Sequence, residues 1–281
     1  LIIVNFVSYD MGKFESYQSL ENFFSNSYED LGVKQYDFCC VYSDLRAFAS
    51  EMKSKFEKNK FCHSIINPLL KSKKTVIIPT YTYTVEGVFE VEKTPTNLGA
   101  LNSWILKQDN MKRSEHPMFS YASLGPKSSI VENCGKSAFG SDSIYERLIG
   151  KKCCFINIGR PIEAGNTVVH NVEQSCGATY RYNKCLKTRV IKNNKFFGSD
   201  YHAFLRKLDI PDNDVKINFE KAAKNIFDAG IVKQVSLNPK TIIVNSKKYD
   251  SLSSIFLYDY DKTREILVKA FLNNTSIFLS K

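Results

Sequence analysis

Three short, predominantly apolar runs constrain this chain most: Asp37-Phe38-Cys39-Cys40-Val41-Tyr42, Thr75-Val76-Ile77-Ile78-Pro79 and Cys153-Cys154-Phe155-Ile156-Asn157-Ile158-Gly159. Each is too short for a buried helix, is rich in β-branched or aromatic residues and ends at a turn signal, which marks a buried strand. Thr80-Tyr81-Thr82-Tyr83-Thr84 is expected to extend the second strand, and residues 241–245 and 275–279 are further strand candidates. Between these runs the apolar period becomes that of a helix, over residues 14–31, 61–71, 97–109, 219–227 and 261–273. Pro68 is expected to interrupt or end the second of these helices, and Gly230 to close the fourth. Trp104 reads as a core residue. Helices alternating with short buried strands imply a layered α/β fold. With no internal repeat, low-complexity block or Pro/Gly linker, residues 1–281 are expected to form a single domain.

Twenty Phe and fifteen Tyr exclude a disordered chain. No segment approaches the roughly 18 continuous apolar residues of a membrane helix. The chain opens Leu1-Ile2-Ile3-Val4-Asn5 without a basic n-region or a small-residue cleavage site. The expectation is a trimmed start, no secretory signal and a cytoplasmic location. A net charge of +10 suits nucleic acid, an acidic membrane surface or a phosphorylated ligand. Its basic residues are dispersed, however. Lys71, Lys73 and Lys74 precede a strand, and Lys187, Arg189, Lys192 and Lys195 spread over nine positions. Neither set is interleaved with aromatics as a base-stacking platform requires, so both read as solvated turns and no nucleic-acid or membrane partner is expected. Eight cysteines without a secretory signal are expected to be reduced thiols. Cys39-Cys40 and Cys153-Cys154 lie in strand-like runs, where neighbours point to opposite faces. Cys176 and Cys185 match no zinc spacing, so no metal is expected.

No GxGxxG, Walker loop, GxSxG elbow or HExxH motif is present. Two of the four histidines stand in informative surroundings. In Gly165-Asn166-Thr167-Val168-Val169-His170-Asn171-Val172-Glu173, Asn166 or Thr167 suits the cap of a new helix. On that helix His170 and Glu173, at i and i+3, share a face, and the carboxylate orients the imidazole and raises its basicity, as a general base requires. A structural pair, or half of a metal site, fits the same spacing. In the second segment, Met111 to Gly125, Arg113, Ser114, His116, Ser120 and Ser123 surround Pro117 before a run of small residues. Arg113 offers a planar donor set for phosphate and the serines offer hydroxyls. A turn entering a tightly packed strand accounts for the same residues.

Taken in order, these segments resemble the aminoglycoside 3-N-acetyltransferase family, the antibiotic N-acetyltransferases. The resemblance spans about residues 20 to 255, through Val41-Tyr42-Ser43-Asp44-Leu45, Thr75 to Tyr81, Thr94 to Leu101, Arg113-Ser114-Glu115-His116-Pro117, Ser120 to Gly125, Phe139 to Leu148 and Thr167 to Glu173. It implies a three-layer α/β/α fold with a central mixed sheet. It also implies transfer of an acetyl or other acyl group from acyl-CoA to an amine of an amino sugar, with acetyl-CoA as co-substrate and no metal. By position, His170 is then the general base, Glu173 its supporting carboxylate, and Asp200 the match to a downstream acidic position. Ser43, Asp44, Arg113, Ser114, His116, Ser120 and Ser123 would line the CoA channel. His170 would take a proton from the ammonium, and the amine would attack the thioester directly. Backbone N–H groups near the Ser43 turn, or a nearby hydroxyl, would hold the oxyanion.

Two positions depart from the family pattern. Tyr42 stands where a histidine usually precedes the serine turn, and Thr82 and Tyr83 stand where some antibiotic-modifying members carry an acid. A basic chain suits a nucleotide-linked or surface-polysaccharide amino sugar better than a polycationic antibiotic. The opposing expectation is a family-like fold that has lost catalysis and binds CoA or another phosphorylated ligand. The presence of both His170 and Glu173 weighs against it.

Overall fold

The computed structural model describes residues 6–9, 13–237, 241–244, 247–250 and 253–280. Eight strands form one mixed sheet, in the order Phe6–Tyr9, Lys233–Leu237, Ser254–Asp259, Cys153–Ile158, Phe38–Ser43, Thr75–Pro79, Tyr121–Leu124 and Lys112–Arg113. The three apolar runs are neighbours at its centre, mutually parallel with Phe38–Ser43 in the middle. The strands on either side of this trio are antiparallel to it.

Side chains along the central strands alternate between two cores. Cys40, Tyr42, Ile77 and Phe155 face one, together with the helices Val168–Ser175, Phe219–Asp228 and Tyr260–Asn273. Cys39, Val41, Val76, Ile78 and Ile156 face the other, with the helices Tyr17–Asp30, Lys58–Lys71 and Ala100–Ile105. Cover on both faces explains why these strands carry no polar alternation. The result is the three-layer α/β/α arrangement about a mixed sheet that the resemblance implies. Adjacent cysteines do point to opposite faces, Cys40 meeting Cys153 at 3.7 Å and Cys39 meeting Cys154 at 3.9 Å.

Local expectations fail where distant or turn-forming partners intervene. Lys58–Lys71 runs through Pro68, which removes one backbone donor near the helix end while the buried Ile65, Ile66 and Leu69 hold the last turn in place. The 97–109 helix shortens to Ala100–Ile105, and the side chain of Gln108 folds back on the Trp104 carbonyl at 2.9 Å; Trp104 is in the core. Thr80 to Thr84 leaves the sheet, because Thr82 bonds the Pro117 carbonyl and Tyr83 takes a φ of 54°. Residues 275–279 form turns with one bridge, Ile217 to Leu279, through bonds such as Ile277 N to Asn274 O. Thr241–Val244 is a strand as expected, and Asn245 lies outside the described residues. Phe219–Asp228 begins at its Asn218 cap, and Gly230 follows it at a φ of 66°.

Lys187, Arg189, Lys192 and Lys195 belong to strands rather than to a turn. Lys187–Lys192 and Lys195–Gly198 form a hairpin about Asn193 and Asn194, both at positive φ, while Glu86–Glu90 pairs along the other edge. The Asn193-Asn194 pair that follows the alternately buried Thr188 and Val190 is the sequence signal for it. Nearby, Arg181–Cys185 pairs with His202–Arg206 as a two-stranded ribbon. Among the described residues no helix is long and apolar enough to cross a membrane.

Candidate active site

From Phe38–Ser43 the chain proceeds to a parallel neighbour on one side, Thr75–Pro79, and later to one on the other, Cys153–Ile158. Such a reversal opens a crevice at the carboxyl ends of the strands, where layered α/β folds place ligands. A cavity of about 440 Å³ lies there, lined by Ser43 and Pro79 at two strand ends and by Arg160 just beyond the third. Tyr42, Tyr81, Tyr83, Phe119 and Phe219 give it aromatic walls, and Asn166, Thr167 and His170 a polar end. Arg160, held by the Ala164 and Gly165 carbonyls, is its one lining residue of the Arg, Lys, Asp or Glu type. A second cavity of about 490 Å³ is lined by Arg181, Tyr182, Lys184, Leu205, Arg206, Leu208 and Lys216 and shares His170 and Phe219 with the first.

The helix carrying His170 starts where the sequence places it. Asn166 Oδ1 accepts from Val168 N at 3.0 Å, so Asn166 rather than Thr167 supplies the capping side chain. The preceding Gly165 has a φ of 91°, and a Cβ there would sit 2.5 Å from the Phe219 ring. His170 Nδ1 lies 2.7 Å from Glu173 Oε2. An Nδ1–H donating to that carboxylate leaves the lone pair on Nε2, the form a base needs. Arg181 Nε is 2.7 Å from the same oxygen, and the Tyr180 hydroxyl donates to Oε1 at 2.8 Å. Burial opposes the charge of Glu173, but His170, Arg181 and Tyr180 together hold its carboxyl below the ordinary range. Burial also lowers His170, against the raising influence of Glu173, so the imidazole is neutral at pH 7. The rings of Phe139 and Phe219 flank it at 5.3 and 6.0 Å.

Beside His170, Thr167 Oγ1 is the hub of a hydroxyl cluster. Tyr42, Tyr81 and Tyr121 approach it at 3.3, 2.8 and 3.1 Å, and Tyr145 also bonds it. Burial raises the pKa of all four phenols, which therefore stay protonated. Tyr42 thus occupies the departing position as part of this network.

The remaining candidates divide. Ser43 lines the first cavity. Asp44 binds Arg46 instead. Asp200 lines neither cavity; it is largely exposed and pairs with Lys136 at 2.6 Å. Arg113, Ser114, His116, Ser120 and Ser123 do not line the cavities either, in contrast to the CoA-channel role the resemblance implies for them. All five are buried and bonded to framework atoms. Arg113 donates to the Val91, Thr94 and Thr80 carbonyls and to Ser120, which itself donates to Thr80 O. Ser114 Oγ accepts from Tyr121 N, and Ser123 donates to Val76 O. His116 accepts from Met118 and Phe119 N at Nδ1 and bonds His202 O at Nε2, and burial lowers its pKa to about 4. These bonds fit the alternative of a turn entering a packed strand. Tyr180, Arg181, Arg160 and the hydroxyl cluster were not expected. No motif flags them: Arg160 bonds main-chain carbonyls, Tyr180 and Arg181 reach Glu173 only through the turn after its helix, and the tyrosines come to Thr167 from distant parts of the chain, while Phe219 reads in sequence only as the apolar face of its helix.

A carboxylate-held imidazole shared by two cavities, at the carboxyl ends of parallel strands, describes a layered α/β protein with a two-chambered cleft. The aminoglycoside 3-N-acetyltransferase family model matches residues 66–248, and the chain belongs to this family. No curated protein sequence matches it. Among solved structures, it resembles aminoglycoside acetyltransferase AAC(3)-IVa at 16% identity and a TM-score of 0.67, covering 95% of this chain and 92% of that one. YokD protein from Bacillus subtilis is similar at 16% identity and a TM-score of 0.67, with 94% and 96% covered. AAC-IIIb, solved as a binary complex with CoASH, is similar at 13% identity and a TM-score of 0.70, with 96% and 99% covered. At these identities the likeness establishes the fold.

Proposed function

We propose that this protein transfers an acetyl group from acetyl-CoA to an amine of an amino sugar, with His170 as general base. The observation that carries the reading is the His170–Glu173 pair at the wall common to both cavities. The aromatic first cavity, ending at Ser43 and His170, suits the thioester end of the pantetheine arm, and membership of the family and the CoASH complex of AAC-IIIb support acetyl-CoA as the donor. The second cavity then takes the acceptor. A protonated amine is not nucleophilic; His170 Nε2 removes its proton, and the nitrogen lone pair attacks the thioester carbonyl carbon. The tetrahedral intermediate collapses by breaking the C–S bond; the imidazolium returns its proton to the departing sulfur, so CoA leaves as the thiol, and the nitrogen releases its second proton to water as the neutral amide forms. Glu173 stabilises the imidazolium that carries the proton. Donors near Ser43, or the Thr167 hydroxyl, hold the oxyanion.

The test is mass spectrometry of acetyl-CoA incubations with amino-sugar acceptors. Wild type should add one acetyl group, and His170→Ala should lower kcat roughly 100-fold or more while binding acetyl-CoA as wild type does. Full turnover by His170→Ala would remove His170 from the chemistry.

A further inference from the structure

We infer that the acceptor is anionic, a nucleoside-diphosphate-linked amino sugar whose phosphates are held by Lys184 and Lys216. This inference rests on the transferase reading above. The second cavity contains four cationic side chains and no Asp or Glu among its lining residues. Arg181 is neutralised by Glu173 at 2.7 Å, and Arg206 has a partner within the protein. The ammonium groups of Lys184 and Lys216 make no hydrogen bond or ion pair with any described residue. Lys184 sits on the Arg181–Cys185 ribbon strand, while Lys216 comes from the segment leading into the Phe219–Asp228 helix. Two separate elements thus bring uncompensated positive charge to the cavity that His170 lines.

A polycation would meet repulsion there, whereas phosphate oxygens would gain charge-assisted bonds. The same cavity offers the exposed Tyr182 ring and Leu208, an apolar face suited to a nucleoside base. The phosphates would occupy the lysine end, leaving the sugar amine to reach His170.

The experiment compares kcat/KM for a uridine-diphosphate-linked amino sugar, the same sugar as its 1-phosphate, its phosphate-free methyl glycoside and sisomicin, with acetyl-CoA as donor. The phosphate-bearing acceptors should exceed the methyl glycoside and sisomicin by roughly 100-fold, on the basis of about tenfold for each lysine contact. Their advantage should shrink as salt is raised. Lys184→Glu and Lys216→Glu should each raise KM for the nucleotide-linked acceptor about tenfold, and Lys184→Arg should retain it. Calorimetric affinity for acetyl-CoA should be unchanged in all three variants. Equal or better use of sisomicin, or lysine variants that weaken acetyl-CoA instead of the acceptor, would overturn the inference. A 1-phosphate as good as the nucleotide conjugate would overturn its nucleoside part. Calorimetry of the nucleotide-linked sugar on wild type reads the charge preference without turnover. Loss of all transfer and of acetyl-CoA binding would sink the transferase reading itself.

Discussion

Glu173→Gln preserves the shape of the side chain and removes its charge. In the native protein the fully buried carboxylate accepts from His170 Nδ1 at 2.7 Å and the Tyr180 hydroxyl at 2.8 Å and is ion-paired with Arg181 Nε at 2.7 Å. A glutamine offers one acceptor oxygen and places an NH₂ where a second acceptor stood, so one donor faces another. The Arg181 side chain, 7% exposed, is left without a counter-charge. Breaking a buried ion pair by removing one partner costs about 3–5 kcal/mol, and the expected loss in urea unfolding is about 3 kcal/mol or more. Turnover falls as well, by roughly 100-fold, because the imidazole loses the acceptor that fixes its tautomer. The acid limb of kcat/KM moves to lower pH, since burial and the Arg181 charge, both of which lower His170, are no longer opposed. Removing the stranded cation in Glu173→Gln/Arg181→Met should restore about 2 kcal/mol of stability without restoring turnover. Urea denaturation and steady-state kinetics over pH 5–8 read both quantities. A destabilisation of Glu173→Gln below about 1 kcal/mol, or full kcat, would refute the claim that this buried group holds both the fold and the base.

Gly165→Ala places a methyl group against the Phe219 ring at a backbone position of positive φ; it should cost roughly 1–3 kcal/mol in thermal unfolding and lower kcat/KM at least tenfold by displacing the wall shared by the two cavities. Arg113→Met should lower stability by about 3 kcal/mol through the loss of its bonds to buried carbonyls. At a temperature where the variant stays folded, its acetyl-CoA affinity should remain within about threefold of wild type; a loss of roughly 100-fold would instead make Arg113 a CoA ligand. His116 is held neutral, its pKa lowered to about 4 by burial, so its stabilising contribution is complete above the unfolded value near 6.5 and lost as pH falls toward 4. His116→Asn should flatten the stability profile across that window, by about 3 kcal/mol at most, and an unchanged slope would assign the acid sensitivity elsewhere.

What was legible in the sequence follows from how locally each feature is encoded. Phe38 to Tyr42 declares a central strand because both of its faces are buried, leaving no polar position to break the run. His170 and Glu173 are three apart on one helix, so their contact needs nothing but helical geometry. The completion of that pair was hidden. Tyr180 and Arg181 return to Glu173 only because the chain turns at Gly177, where Ala178 N bonds Glu173 O. Arg113 and His116 looked like ligand-binding groups because their real partners, the carbonyls of Val91, Thr94, Thr80 and His202, are anonymous in a sequence. The tyrosines at 42, 81, 121 and 145 meet at Thr167 only once the sheet is assembled.

The thiols stacked across the central strands make this protein its own reporter of opening. Burial pushes the pKa of Cys153 and Cys154 well above that of a free thiol, and Cys39 and Cys40 lie sealed against them, whereas Cys185 is exposed. An alkylating reagent should therefore modify Cys185 promptly and reach the four central sulfurs only when the neighbouring strands part. Successive mass increments would then time how often the middle of the sheet comes undone. An assay that follows released CoA with a thiol dye would carry an immediate offset from Cys185, then a drift set by those rare openings.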